Sequence, residues 1–238
     1  MPTFEGLPGG VAVSHLRVYD WPAADGLRGG TPHLHLACSE GYVVVGGTGS
    51  VQTLTASGFR RTPLSPGALV RFAPGTIHRL VAGDGLRLVV LMENGGLPEA
   101  GDAVLTLPPE HLTDPETYRA VAALPVDGSE AERERAARAR RDLAVEGFLA
   151  LRESTEAGDP APLAAFHRAA AALVRPRIED WRDRWRRGAA AASAATGERL
   201  DALERGDGGY LGDAQVHAER PSGHGEFGMC GYLDVYRG

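Results

Sequence analysis

Glycine-bearing turns cut the first hundred residues into short apolar stretches, and no other feature limits the possible folds so strongly. GGTGS, ASG, SPG, APG and AGDG separate β-rich segments at His15 to Trp21, Pro32 to Cys38, Gly41 to Val45, Val51 to Thr55, Phe59 to Leu64, Ala68 to Phe72, Ile77 to Val81 and Leu86 to Met92. Stretches this short cannot build packed helices, and their close spacing predicts an all-β barrel or sandwich. Beyond residue 100 the period changes to that of a helix. Ser129 and Glu132 form a capping box that opens a helix bearing Val145, Phe148, Leu149 and Leu151. Leu163, Phe166, Ala170, Leu173 and Val174 mark a second helix, and Ile178, Trp181 and Trp185 a third stripe, with Pro176 and Gly188 as punctuation. The expected class is α+β: a β-barrel over 1–104, a helical region over 105–220, and a tail over 221–238 in which Tyr232 to Tyr236 forms an added strand.

Composition narrows the chemistry. A net charge of −6 gives no basic field to recruit nucleic acid or an acidic membrane. The 238 residues include no lysine, which removes Schiff-base chemistry and any phosphate-loop lysine. Cys38 and Cys230 make no disulfide framework, and Cys38 reads as a small packing residue. The start lacks the basic and apolar regions of a signal peptide, and the run AAAASAA after Arg187 is too short to span a bilayer. A reduced, cytoplasmic, soluble protein is expected.

The segment TPHLHLACSEGYVVVGG, from Thr31 to Gly47, places polar side chains where a core strand would be apolar. Residues two apart on a strand share a face, so His33 and His35 project together and can chelate one ion. Glu40, five residues on, has the wrong parity for the same straight strand. A turn must therefore intervene, and pairing of the two strands would return Glu40 to the histidines. A fourth ligand is available where the Pro74-Gly75 turn delivers His78 to the start of another strand. Three imidazoles and one carboxylate suit one divalent transition metal (Mn, Fe, Ni, Co or Zn) and leave positions open for a ligand. Tyr42 shares the parity of Glu40, so it is a candidate for the interior. Gln52, Arg71 and Met92 are the other substrate-binding candidates, their facing not fixed by the sequence. His224, Glu226 and Cys230 sit among glycines and read as a turn into the last strand, not as a second metal site.

These residues resemble the two motifs of the cupin superfamily. The first motif is matched by His33, His35, Glu40 and Gly47, the second by Gly67, Pro74, Gly75 and His78. Two departures stand out: the turn is APG where the family commonly has PAG, and Ala82 replaces a frequent asparagine that is not a metal ligand. The resemblance covers about the first hundred residues. It implies a double-stranded β-helix, the cupin or jelly-roll barrel, with the metal held by His33, His35, Glu40 and His78. It also implies a small-molecule ligand at the barrel mouth and a homodimer, for which the Ile178, Trp181 and Trp185 stripe is the candidate interface. The leading functional expectation is a sugar or sugar-acid isomerase, with an Fe(II) dioxygenase as one alternative and a non-catalytic sensor as another. No helix-turn-helix is evident, and the mixed charge of the helical half argues against a DNA footprint.

Overall fold

The computed structural model describes residues 6–236. Its strands are β1 (Ala12–Val18), β2 (His33–His35), β3 (Glu40–Gly46), β4 (Gly49–Thr55), β5 (Gly58–Leu64), β6 (Leu69–Phe72), β7 (Ile77–Ala82), β8 (Arg87–Met92), β9 (Ala103–Leu105), β10 (Gly223–Phe227) and β11 (Gly231–Val235). They form two antiparallel sheets, a six-stranded one in the order β10-β11-β1-β8-β3-β6 and a five-stranded one in the order β5-β4-β7-β2-β9. Apart from the hairpins β4-β5 and β10-β11, consecutive strands alternate between the sheets, as in a double-stranded β-helix. The tail adds both strands of a hairpin, β10 and β11, to the six-stranded sheet, and the single strand expected there is its second arm.

Two glycines of the β-half are required by geometry. Gly47 turns the chain from β3 to β4 at a positive φ of 70°, and a Cβ there would collide with the carbonyls of Asp84 and Gly85. Gly75 has φ 86° in the turn before β7, and its N–H donates to the carbonyl of His35 at 2.8 Å. That bond ties the approach to β7 directly to the end of β2.

Strand β2 is shorter than expected. The segment from Pro32 to Cys38 has strand character, but the N–H groups of Ala37 and Cys38 donate to the Asp102 carboxylate instead of to a neighbouring strand, and that of Leu36 is shared between this carboxylate and the Asp102 carbonyl. The chain therefore leaves the five-stranded sheet after His35 and enters the opposite one at Glu40. Pairing of β2 with β3, expected from parity, does not occur: β2 pairs with β7 and β9, and β3 with β6 and β8.

The helices are α1 (Pro115–Ala122), α2 (Glu130–Glu156), α3 (Ala161–Val174), α4 (Ile178–Trp185) and α5 (Ala191–Glu204). The capping box at the start of α2 is present: Ser129 N–H donates to Glu132 at 2.8 Å, and the Glu132 N–H returns to the Ser129 hydroxyl. Ala144, Phe148 and Leu151 of α2 join Leu163, Phe166, Ala170, Leu173 and Val174 of α3 in one core with Leu34, Leu54, Ile77 and Val104 of the five-stranded sheet. Leu149, expected in that stripe, is exposed. Trp181 is buried against the barrel with its indole N–H donating to the Ala100 carbonyl, so most of the stripe proposed for a dimer interface packs within the chain and only Trp185 stays exposed. Among the described residues no helix is long and apolar enough to cross a membrane.

Contact between α2 and the barrel depends on Gly147. A Cβ at that position would meet the carbonyl of Thr106 and the backbone of Leu107, while the Thr106 hydroxyl donates to the Ala144 carbonyl at 2.8 Å. Gly197 of α5 has open space around it. Gly147→Ala should lower the unfolding free energy by about 1–3 kcal/mol through overpacking, whereas Gly197→Ala should raise it by up to about 1 kcal/mol. Urea unfolding of both variants measures the contrast, and equal effects would contradict the packing described.

Candidate metal centre

The two sheets present His33, His35, Glu40 and His78 to one another across the barrel interior, all four buried, with ligand-capable atoms within 4.8 Å of one another. His33 on β2 stands directly opposite His78 on the neighbouring β7. Glu40 enters from the facing sheet, its Oε2 lying 2.8 Å from His78 Nε2 and 3.5 Å from His35 Nε2.

The second nitrogen of each ring fixes which nitrogen faces inward. His33 Nδ1 lies 2.8 Å from the Thr31 carbonyl, His78 Nδ1 lies 3.1 Å from the Thr76 carbonyl, and His35 Nδ1 lies 3.2 Å from Asp102 Oδ2. A carbonyl or a carboxylate can only accept, so all three Nδ1 atoms carry the proton. In the neutral rings each Nε2 is then left with a lone pair. Neither Glu40 Oε2 nor His78 Nε2 has a partner in hydrogen-bond geometry despite their approach, and both are fully buried. Buried lone pairs crowded together are unfavourable unless something electron-poor lies between them. With metal–ligand bonds of about 2.0–2.2 Å, cis and trans ligands stand about 3–4.4 Å apart, close to the spacing here. The donor set therefore fits a divalent metal ion.

Electrostatics favour the ligand form of His33 and Glu40, and the protonated form of His35. Burial, reinforced by the neighbouring His78 and His35, holds the His33 pKa well below its usual value and keeps the ring neutral. Burial also opposes ionisation of Glu40, but attraction from His78, ahead of that from His35 and His33, brings its pKa down to about 2. For His35 the hydrogen bond to Asp102 and the charge of Glu40 outweigh burial and raise the pKa. His33, His35 and Glu40 line a cavity of about 330 Å³ whose walls also include Leu16, Tyr42, Val90 and Met92.

The other sequence candidates divide by strand parity. Tyr42 and Met92 face inward and line this cavity. Thr53 stands opposite His78, so Gln52 is turned to the other face of β4, beside Arg79. Phe72 stands opposite Glu40, so Arg71 points out of the barrel and is exposed. The structure brings neither Gln52 nor Arg71 to the cluster. Cys38 is a buried packing residue whose thiol pKa is pushed far up by burial, ahead of the charge of Asp102. Sequence reasoning missed Asp102, which is fully buried and orients His35, because one aspartate between Gly101 and a three-residue strand carries no periodic or spacing signal. It also missed Arg140 of α2 and the hairpin residues Phe227 to Cys230, which line the cavity from parts of the chain outside the two motifs.

Topology and site together define the class, a cupin-type double-stranded β-helix with a candidate centre of three histidines and one glutamate. No protein-family model matches the sequence, and neither does any curated protein. Among solved structures the chain is similar to the Streptomyces nucleoside dehydratase Pac13, solved with uridine, at 17% identity over 37% of this chain and 63% of that one, TM-score 0.29. It is also similar to CapF, solved with 3-isopropenyl-tropolone, at 17% identity over 40% of this chain and 27% of that one, TM-score 0.31. A Klebsiella pneumoniae protein with a double-stranded β-helix domain is 18% identical over 36% of this chain and 67% of that one, TM-score 0.28. The likeness thus spans less than two thirds of the dehydratase and CapF and is confined to a minor part of this chain.

Asp102→Asn should weaken metal binding about 10–100-fold, because the ring-orienting anion behind His35 is lost. Chelator competition with Co(II) measures the affinity, and wild-type affinity in the variant would remove Asp102 from the supporting shell.

Proposed function

We propose that the chain is a metal-dependent enzyme acting on a small polar metabolite, a sugar or sugar acid with adjacent hydroxyl and carbonyl groups, and that the reaction is isomerisation. One observation supports this above all others: three Nδ1-protonated histidines and Glu40 bring their ligand-capable atoms within 4.8 Å of one another, and His33, His35 and Glu40 line a cavity. A divalent ion held there by His33, His35, Glu40 and His78, from the Mn, Fe, Ni, Co or Zn group, would supply Lewis-acid polarisation of a substrate oxygen. One carboxylate leaves such a centre with net positive charge, suited to oxygen donors.

The chain's own side chains account for the remaining requirements. The Tyr42 phenol is kept protonated by burial and by the charge of Glu40, so it can donate a hydrogen bond to a substrate oxygen. Leu16, Val90 and Met92 give the walls an apolar lining, which strengthens polar contacts made against it. A cavity of about 330 Å³ is at the small end of the range for ligand sites, in keeping with a metabolite of a few carbons. Homodimerisation belongs to the same proposal and is measured by light scattering.

Elemental analysis of the purified protein should find stoichiometric transition metal, lost in a His33→Ala/His78→Ala double variant. Equal metal content in the two would sink the assignment. The loaded enzyme should interconvert an aldose–ketose or sugar-acid pair without taking up oxygen. Substrate-dependent oxygen consumption would replace isomerisation with dioxygenase chemistry at the same ligands.

A further inference from the structure

The cavity contains a second charged group that the metal ligands do not explain. Arg140 reaches from α2 to the wall of the cavity, which also includes the hairpin residues Gly228 and Met229 and the candidate ligands His33, His35 and Glu40. Its Nη1 donates to the Ala122 carbonyl at 2.9 Å and its Nη2 to the Gly228 carbonyl at 2.8 Å. Its Nε is buried and has no acceptor. A guanidinium carries five N–H donors, so two bonds to neutral carbonyls position the fork and leave both its charge and its remaining donors unmet.

Other buried or half-buried arginines here are neutralised. Arg79 is gripped by Asp25 at 2.6 and 3.0 Å, Arg138 pairs with Glu134, and Arg141 pairs with Asp142. Among the described residues no carboxylate forms an ion pair with Arg140. Glu99 and Glu226 also line the cavity, but neither forms an ion pair with Arg140, and Glu99 is exposed and caps the Gly96 N–H. Burial pulls the Arg140 pKa down, the sign of a site that disfavours the uncompensated charge. A cation in an apolar-walled cavity, fixed by bonds that do not neutralise it, is a site for an anion.

We propose that Arg140 anchors the anionic group, a carboxylate or a phosphate, of the small molecule that enters this cavity, so that the substrate is an acid or a phosphate ester and not a neutral sugar. This rests on the metal-enzyme reading for what happens at the other end of the ligand, but anion binding at Arg140 does not itself require metal. The helical region would then supply substrate selection to a barrel that supplies the metal ligands.

The test uses inorganic phosphate, succinate and neutral glycerol as probes, titrated calorimetrically into metal-free and Zn-loaded full-length protein. Phosphate or succinate should bind both forms, glycerol neither, and Arg140→Gln should weaken the anion about ten- to a hundredfold in both forms without changing metal content. The stronger of the two anions identifies the source of the charge. Phenylglyoxal labelling of wild-type protein, read by mass spectrometry, covers the case in which Arg140→Gln fails to fold: the preferred anion should slow modification of Arg140 and glycerol should not. No anion binding by metal-free wild type, equal affinity in a folded Arg140→Gln variant, or unprotected Arg140 would each overturn the anchor. Protein that binds anions at Arg140 yet takes up no metal would leave the anchor standing and overturn the metal centre instead.

Discussion

Asp102 holds the architecture of the site together. It is fully buried, and its two oxygens receive His35 Nδ1 and the N–H groups of Leu36, Ala37 and Cys38. Burial opposes ionisation of its carboxyl, but the bond to His35, with the backbone donors, keeps its pKa below the ordinary value. Because the carboxylate takes three consecutive backbone donors, β2 cannot continue. The chain crosses to the opposite sheet and Glu40 arrives facing the histidines. One buried anion thereby sets the tautomer of His35, the length of β2 and the position of Glu40.

The same economy is visible in the other two rings. Thr31 and Thr76 each offer a carbonyl to a histidine two residues further along the chain, and in both cases the acceptor sits just before the strand that carries the ring. Ring orientation is thus built into the backbone at the strand entrance, with no dependence on a flexible side chain. Such rigidity suits a site whose donors must converge before any ion arrives. The neutral state of buried His33 and the ionised state of Glu40 belong to the same preorganisation.

The helical half shares its core with the barrel. It continues the core of the five-stranded sheet through Phe148, Phe166 and Trp181, while the outer face of the other sheet carries exposed Val45, Leu69 and Leu91. Arg140 links this half to the cavity, and through the Gly228 carbonyl it also fastens the C-terminal hairpin. Three regions distant in sequence, the metal strands, α2 and the tail, therefore share one wall.

Much of this was legible in the residues alone. Turn spacing gave the β-character of the first hundred residues, and the capping box gave the start of α2. The His33, His35, Glu40 and His78 set was legible because period-two geometry and the Pro-Gly turn act locally. What parity could not supply was the partner of each strand: it put Glu40 at the start of the next strand, beyond a turn after His35, but paired β3 with the wrong neighbour, since Asp102, the residue that diverts the chain, lies more than sixty positions away. Gln52 and Arg71 were undecidable for a related reason, because which face of a strand is inside depends on the sheet opposite. Local sequence, then, determined which elements form and which side chains share a face. Only tertiary packing decided which faces meet, because polar groups such as the donor Arg140 and the acceptor Asp102 find their partners across distances that no short-range pattern encodes.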